Sequence, residues 1–207
     1  MMRRMWGLLA VFLLAASAPA EEGVSINSGT FPDPQFLNYV KTFDGDNNGR
    51  LSAEEIARVS SIDVKSKNIQ DLKGIKYFTE LKNLDCARNQ LTALDVSENK
   101  KLEHLDCTGN RLTSLDVSEN TALMKLYCNH NKLTVLDVSK NTDLKTLYCN
   151  SNHLTFLDLQ GLNDLSDVYV GGQTRDGIVL LQSGGAYVLD LGAFIPEEGF
   201  DKVSGLA

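Results

Sequence analysis

The sequence predicts an α+β repeat solenoid with a helical cap before the repeats and a β-hairpin cap after them. Three observations support this fold class. A pattern L-x-x-L-x-C-x-x-N-x-L recurs every 21 residues, an acidic loop between two short helical patterns precedes it, and two β-like segments joined by glycine follow it. Repeats of about 20–29 residues with this leucine spacing are typical of leucine-rich repeats, which stack because one turn cannot bury its own apolar side.

Residues 1–20 are predicted to be a secretory signal peptide rather than part of the fold. Arg3 and Arg4 form its basic region, residues 6–16 its apolar region, and Ala-Pro-Ala at 18–20 its cleavage site. The apolar region is too short to span a membrane, and no cysteine lies near the cleavage site. We therefore expect a secreted protein without a transmembrane span, in the extracellular space, in the periplasm or at the cell surface.

The charge balance of the chain is acidic. The sequence has 20 Lys and Arg against 27 Asp and Glu, and removal of Arg3 and Arg4 with the signal peptide changes the formal charge from −7 to −9. This balance argues against nucleic acid as a partner, because phosphates select basic patches. The charged residues are spread along the repeats, which is typical of a generally solvated protein surface. We expect the protein to be a monomer.

Residues 21–60 are predicted to form an EF-hand-like N-terminal cap. The segment 21–30 is polar and rich in Ser and Gly, which indicates a flexible leader. Asp33 is a candidate N-cap with Pro34 at the first helical position, so a short amphipathic helix begins there. A second short helix is predicted over residues 53–59, after the acidic loop.

The acidic loop fits the calcium-loop pattern D-x-[DN]-x-[DN]-G-x₅-E at every required position. Ca²⁺ prefers about six to eight oxygen ligands, and a glycine at position 6 permits the sharp turn. The predicted ligands are Asp44, Asp46, Asn48, Arg50 through its carbonyl, Ser52 and Glu55. The alternative is a solvated loop that binds no ion. Because one such loop is present, we expect a structural ion rather than a paired sensor.

Residues 61–165 are predicted to contain one atypical turn of 22 residues and four regular turns of 21. In each L-x-C segment the outer two side chains point inward and the middle one outward, by strand alternation. Asparagines at the strand exits are predicted to bond turn backbone; they are Asn89, Asn110, Asn131 and Asn152. The return segment Leu-Asp-Val leaves no room for a long helix. Its aspartates are predicted to bond local backbone, with a second column of cations as the alternative; they are Asp95, Asp116, Asp137 and Asp158.

The cysteines lie at equivalent positions of successive turns, at Cys86, Cys107, Cys128 and Cys149. An even cysteine count in a secreted chain favours disulfides. Neighbouring parallel strands, however, hold equivalent side chains about 4.8 Å apart and pointing the same way, whereas a disulfide needs Cβ atoms about 3.8 Å apart. Stacked thiols also form a line rather than the tetrahedron of a zinc site. We therefore expect four buried, reduced thiols.

Regular 21-residue turns with cysteine at this leucine position resemble the internalins. The preceding segment L-K-G-I-K-Y-F-T-E-L, residues 72–81, is similar to the 22-residue turn of that family. The resemblance covers about residues 60–165. It implies a right-handed horseshoe with a parallel, concave sheet, in surface proteins that adhere to or recognise host molecules.

The register also predicts which side chains face a partner on the concave sheet. Tyr127, Tyr148 and Tyr169 are expected to form an exposed aromatic column, because exposed tyrosines on a concave surface are frequent interface anchors. The alternative is cross-strand packing that only stabilises the sheet. The full predicted partner-binding set is Asp85, Arg88, His104, Asp106, Lys125, Tyr127, His130, Tyr148 and Tyr169.

Residues 166–207 are predicted to form a C-terminal strand and a β-hairpin cap. Leu165, Val168 and Val170 supply the strand, and residues 177–182 and 186–191 the hairpin. We expect this hairpin to cover the open end of the concave sheet, because solenoids need protected edges.

These observations predict a non-enzymatic binding protein whose ligand is a protein or a glycan. No phosphate loop or H-E-x-x-H pattern is present, and none of the three histidines is paired by spacing with a nucleophile. The alternative is a calcium-dependent structural or assembly module, either a fragment of a larger secreted protein or similar to the dockerins. Dockerins carry two calcium loops, however, and this chain has one.

Overall fold

The computed structural model describes residues 23–173, 178–182 and 185–189. The predicted signal peptide lies outside the described residues, as do parts of the predicted hairpin and everything after residue 189. Across the described ranges no helix has the length and apolar character needed to cross a bilayer.

The N-terminal cap precedes the repeats and contains five short elements. They are β1 (Gly23–Ser25), α1 (Pro34–Val40), a 3₁₀ turn (Lys41–Phe43), β2 (Arg50–Ser52) and α2 (Ala53–Ala57). The repeats contribute strands and one further 3₁₀ turn. They are β3 (Ser61–Asp63), the 3₁₀ turn (Ile75–Tyr77), β4 (Asn83–Asp85), β5 (His104–Asp106), β6 (Lys125–Tyr127), β7 (Thr146–Tyr148), β8 (Phe156–Asp158) and β9 (Asp167–Tyr169). The chain then enters a hairpin of β10 (Ile178–Gln182) and β11 (Gly185–Leu189).

Six three-residue strands form one parallel sheet in the order β3-β4-β5-β6-β7-β9. The pairing is offset by 22 residues between β3 and β4 and by 21 between the later neighbours, so equivalent residues stand side by side. This sheet confirms the predicted solenoid and its strand register. Each turn is narrow, as the return segment predicts, because no α-helix occurs between residues 61 and 173.

A single apolar core extends through the solenoid. The central leucines of β4 to β7 are at most 2% exposed, and the four cysteines are fully buried beside them. All four thiols are free, as the strand geometry predicts. The core continues into the cap through Phe31 and Phe36, and it reaches the last strand region through Val170.

The side chain that caps α1 also joins the N-terminal cap to the first turn. Asp33 accepts from the backbone N–H groups of Gln35 and Phe36 through one oxygen, at 2.9 and 3.1 Å, and from Gln70 N–H through the other, at 2.8 Å. Ser52 and Glu55 form a reciprocal capping box at the start of α2. Phe31, Phe36, Val40 and Leu51 of the cap belong to the same buried cluster as the first turn, so the cap covers the open first end of the repeat core.

The expectation of a flexible leader is wrong for residues 23–30. Residues Gly23 to Ser25 pair antiparallel with β2, and the Arg50 guanidinium donates to Ser25 Oγ at 2.9 Å and to the carbonyl of Gly23. Asn27 closes a turn by accepting from Gly29 N–H at 2.8 Å. The pairing of β1 with β2 joins residues distant in sequence, so local composition carries no sign of it.

The hairpin pairs with the return segment of a repeat rather than with the concave sheet. β10 pairs antiparallel with β11 and parallel with β8, in the return segment of the fourth regular turn. β9, the last concave strand, pairs with β7 and is not part of the hairpin sheet. This pairing corrects the expectation that the hairpin covers the open end of the concave sheet.

Candidate functional site

The structure brings three predicted calcium ligands together in the cap. Oxygen atoms of Asp44, Asp46 and Glu55 all lie within 4.8 Å of one another. None of these carboxylates takes part in an ion pair within the described part of the chain. Convergent carboxylates without a cationic side chain suit a hard divalent ion, whose charge offsets their mutual repulsion.

Backbone N–H groups hold this loop in its folded shape. Asp44 accepts from Asn48 N–H at 3.1 Å and from Gly49 N–H at 2.9 Å. Glu55 accepts from Gly45 N–H at 2.6 Å and from Ser52 N–H at 2.9 Å. The backbone hydrogen bond from Ser52, followed by that from Gly45, lowers the pKa of Glu55 and favours its carboxylate.

Asn48 and Ser52, two of the other predicted ligands, lie in the same segment, where their side chains form hydrogen bonds with neighbouring residues. Asn48 Oδ1 accepts from Arg50 N–H at 2.8 Å, and Ser52 Oγ donates to Glu55 at 2.9 Å. The Arg50 guanidinium is bonded to β1, so its positive charge is engaged away from the three carboxylates. The donor set is all oxygen and fits Ca²⁺, with Asp44, Asp46 and Glu55 as the convergent core.

The outward side chains of the concave sheet form two columns, one on each side of the buried central residues. The column at the first strand position contains Ser61, Asn83, His104, Lys125, Thr146 and Asp167. The column at the third position changes from acidic to aromatic along the solenoid. It contains Asp63, Asp85 and Asp106, which we call the acidic column, and then Tyr127, Tyr148 and Tyr169, the tyrosine column.

The tyrosine column is a packed and partly exposed aromatic surface. The ring centroids of Tyr127 and Tyr148 are 5.2 Å apart at 89°, and those of Tyr148 and Tyr169 are 6.1 Å apart at 73°. The Tyr148 hydroxyl donates to the two oxygens of Asp167, at 2.9 and 3.1 Å. Edge-to-face packing fixes the rings while one face of the column remains open to solvent.

The acidic column is held by local backbone. Asp85 accepts from Ala87 N–H at 3.0 Å, and Asp106 accepts from Thr108 N–H at 2.9 Å. The second oxygen of Asp85 lies 3.7 Å from Lys65 Nζ, a long contact between two partly exposed groups. Both carboxylates line a shallow depression of about 260 Å³. Its walls are Asn83, Asp85, His104, Asp106, Lys125 and Tyr127 with two central leucines behind them.

Arg88 and His130 occupy a different position from the rest of the predicted partner-binding set. Both are exposed residues with positive φ, 55° and 53°, at the turn that follows a strand. Equivalent turns have Gly109, Ser151 and Gly172 in the same conformation. These side chains lie at the rim of the sheet, outside the depression that Asp85 and Asp106 line.

Sequence reasoning missed two aspartates of the concave face. Asp167 fixes the Tyr148 hydroxyl, and Asp63 extends the acidic column by one turn. Asp167 follows Thr146 by 21 residues and Asp63 precedes Asp85 by 22, so strict extension of the repeat register identifies both.

The cysteine column lies beneath this face and contributes no reactive group to it. Burial is the main cause that raises the pKa of all four thiols, and it brings that of Cys149 to about 12. A buried neutral thiol is a poor nucleophile and acts as a small apolar side chain.

Comparisons with known proteins agree on the type of repeat. The profile of the family described as Leucine Rich repeats (2 copies) matches residues 79–120. Internalin J of Listeria monocytogenes serotype 4b (strain F2365) is 39% identical over 70 residues, which are 33% of this chain and 8% of Internalin J. The chain thus matches less than a tenth of the length of this curated relative.

Solved structures extend the similarity over most of the fold. The functional domain of InlJ from Listeria monocytogenes, which includes a cysteine ladder, is 36% identical with a TM-score of 0.68, over 75% of this chain and 35% of that one. An internalin C2 from Listeria monocytogenes strain 4b F2365 is 19% identical with a TM-score of 0.54, over 75% and 81%, and supports the fold alone. The chain is an internalin-like leucine-rich repeat protein with a cysteine ladder.

Proposed function

We propose that this chain is a secreted or surface-exposed, non-enzymatic binding protein that recognises a protein or glycan through its concave sheet. The observation that carries the proposal is the tyrosine column. Its rings are partly exposed on an otherwise polar face, and they are already held by edge-to-face contacts and by Asp167. Side chains ordered before binding lose little conformational entropy on association, so they are effective anchors.

The shape of the sheet supports the same proposal. Six parallel strands in register present rows of identical spacing, about 4.8 Å apart, along one face. Extended concave surfaces of stacked repeats are a common way to bind an elongated partner. The depression beside Tyr127 adds polar groups that can orient a ligand next to the aromatic anchors.

We also propose a structural role for Ca²⁺ in the cap. Asp44, Asp46 and Glu55 would hold the ion, whose chemistry here is charge neutralisation of three convergent carboxylates. Glu55 belongs to α2, and the strand before α2 pairs with β1. Binding at this loop therefore stabilises the elements that cover the first turn of the repeats.

A binding screen tests the concave site directly. Protein and glycan arrays are probed with the wild-type chain, the double variant Tyr127→Ala/Tyr148→Ala and the control Val135→Ala, which removes an exposed apolar side chain elsewhere on the repeats. We expect the double variant to lose about 2 kcal/mol or more of binding free energy for every genuine ligand, and the control to lose none. Equal binding by the double variant, with an unchanged fold by circular dichroism, rejects the concave site.

A further inference from the structure

The third-position column of the concave sheet places two chemically different surfaces at a fixed separation. Asp85 and Asp106 form the acidic side of the depression, and Tyr127 and Tyr148 begin the tyrosine column directly beyond them. Because neighbouring strands lie about 4.8 Å apart, the centre of the aspartate pair is about 10 Å from the centre of the tyrosine pair. A ligand that contacts both must carry two different groups at that distance.

The negative charge of Asp85 and Asp106 indicates that the ligand group beside them is a cation. Among the outward strand residues of this sheet, four are aspartates and one, Lys125, is cationic. Asp106 accepts from Thr108 N–H through one oxygen, and the Lys65 contact of Asp85 is long. Carboxylates that keep an oxygen available in a depression bind guanidinium or ammonium groups by charge-assisted hydrogen bonds.

Aromatic chemistry and spacing select the rest of the ligand. Polyproline-II segments dock on aromatic surfaces, and their repeat of three residues with about 3.1 Å rise returns a side chain to the same face after about 9 Å. That distance matches the separation of the two pairs. A β-strand instead returns a side chain to the same face after about 7 Å, which fits less well.

We propose that the concave sheet binds a protein segment in polyproline-II conformation, with Lys or Arg at one position and an apolar residue three positions away. The basic side chain lies between Asp85 and Asp106, and the apolar residue lies on Tyr127 and Tyr148. The segment crosses the strands along the solenoid axis. This inference rests on the proposed concave binding site and specifies its partner.

A selection experiment followed by charge removal tests the proposal. Immobilised wild-type protein selects from a phage-displayed random peptide library, and we expect enrichment of Lys or Arg three positions from an apolar residue. The synthetic form of the most enriched peptide is then titrated by fluorescence anisotropy against Asp85→Asn/Asp106→Asn. We expect about tenfold weaker binding, with reduced dependence on salt, because a charge-assisted contact is lost.

The control is Asp116→Asn/Asp137→Asn on the return legs. These aspartates accept from Ser118 and Ser139 N–H at 2.9 Å. The control therefore changes the same kind of hydrogen bond between an aspartate and the backbone, at a place away from the concave face. We expect less than about twofold change for the control, because exposed charges distant from a ligand are screened. An equal effect of the two pairs overturns the proposal.

Two further outcomes separate this inference from the proposed function. If Tyr127→Ala/Tyr148→Ala abolishes binding while Asp85→Asn/Asp106→Asn does not alter it, the concave site stands and the basic partner is rejected. The basic partner is also rejected if no peptide is enriched but a glycan binds in a tyrosine-dependent manner. If enriched peptides bind regardless of both pairs, the concave site and the inference fail together.

Discussion

Single buried amides join successive turns at the strand exits. Asn110 accepts from Leu91 N–H at 3.0 Å and donates to the carbonyls of Cys86 and Cys107, both at 3.0 Å. Asn89, Asn131 and Asn152 make equivalent bonds, as the repeat pattern predicts. In the last turn Gln173, 21 residues after Asn152, takes the same place and makes the equivalent bonds.

Replacing one of these amides should destabilise the solenoid strongly. Asn110→Ala leaves the buried Leu91 N–H unpaired, which costs about 1–3 kcal/mol. It also removes one of the two amide hydrogen bonds that the carbonyls of Cys86 and Cys107 each accept. We expect a loss of about 3 kcal/mol or more in the free energy of unfolding, measured with urea. Asn83→Ala, at a half-buried outward position, is the control and should change stability by less than about 0.5 kcal/mol. Similar losses for both variants contradict the role of the buried amide.

Gly74 is a second residue whose replacement should be costly. Its φ is +100°, and an added Cβ would lie 2.4 Å from Phe31 Cδ1 and 2.9 Å from the carbonyl oxygen of Thr30. Phe31 is fully buried between the cap and the first turn, so it has little room to move. The contact explains why glycine occurs where the 3₁₀ turn begins.

Gly74→Ala should therefore lower stability through both strain and overlap. We expect about 2–4 kcal/mol, because overpacking adds to the cost of positive φ. Gly161→Ala is a matched control, since its φ is +80° but nothing lies within 4 Å of the added Cβ. The control should lose only about 1 kcal/mol in urea unfolding. If the two variants unfold at the same urea concentration, the overlap with Phe31 is relieved without cost.

At the scale of elements, strand order and facing follow from the sequence because a 21-residue period leaves one register that buries every leucine. The same period predicts the tyrosine column and the buried cysteines. What the sequence does not reveal are pairings between distant, short segments. The contacts of β1 with β2 and of β10 with β8 are examples, because segments of three to five residues carry too few side chains to mark a partner.

A second amide column shows another limit of sequence reasoning. The fully buried Asn99, Asn120 and Asn141 donate to backbone carbonyls of the preceding turn. The Ser-x-Asn pattern that contains them is visible in the sequence, but whether the asparagine faces inward depends on the path of the return leg. At this register the fourth turn has Leu162 instead, and the column ends there.

The cysteine column gives the repeats a measurable response to alkaline pH. The ordinary pKa of the thiol is 9.0, and burial raises that of Cys149 to about 12 in the folded chain. Between these values the unfolded chain loses a proton that the folded chain keeps. This contribution to stability is therefore complete below about pH 9 and declines as pH rises toward about 12.

Cys149→Ala should reduce this alkaline loss. We expect the free energy of unfolding to fall less between about pH 8 and about pH 10.5 in the variant than in the wild-type chain, measured with urea at each pH. The comparison cancels the titration of lysines and tyrosines, which both proteins share. An identical slope would mean that this thiol ionises as easily in the folded chain as in the unfolded one.

At the scale of the whole molecule, stability depends on covering the two ends of the repeat stack, where the apolar core would otherwise be exposed to solvent. The N-terminal cap covers the first of these ends, so an ion bound in the cap would stabilise the folded chain at that end. The proposed calcium loop lies between α1 and α2, and Phe43 before it packs against Phe78 of the first turn at 5.6 Å between ring centroids. An ion bound in this loop would therefore lie close to the contact between the N-terminal cap and the first turn.

Calcium removal should consequently lower the thermal stability of the chain. With free Ca²⁺ at about 100 times its dissociation constant, the folded state gains about 2.7 kcal/mol, so we expect a clear rise in Tm over a sample in EDTA. Asp44→Ala removes one of the three convergent carboxylates and should melt at the same temperature in Ca²⁺ and in EDTA. Asp71→Ala, an exposed acidic control outside the loop, should keep the wild-type difference. The unfolded chain lacks the assembled loop, so an ion that binds there must raise the Tm of the wild-type chain. An equal Tm with and without Ca²⁺ would contradict a structural role for the ion in the cap.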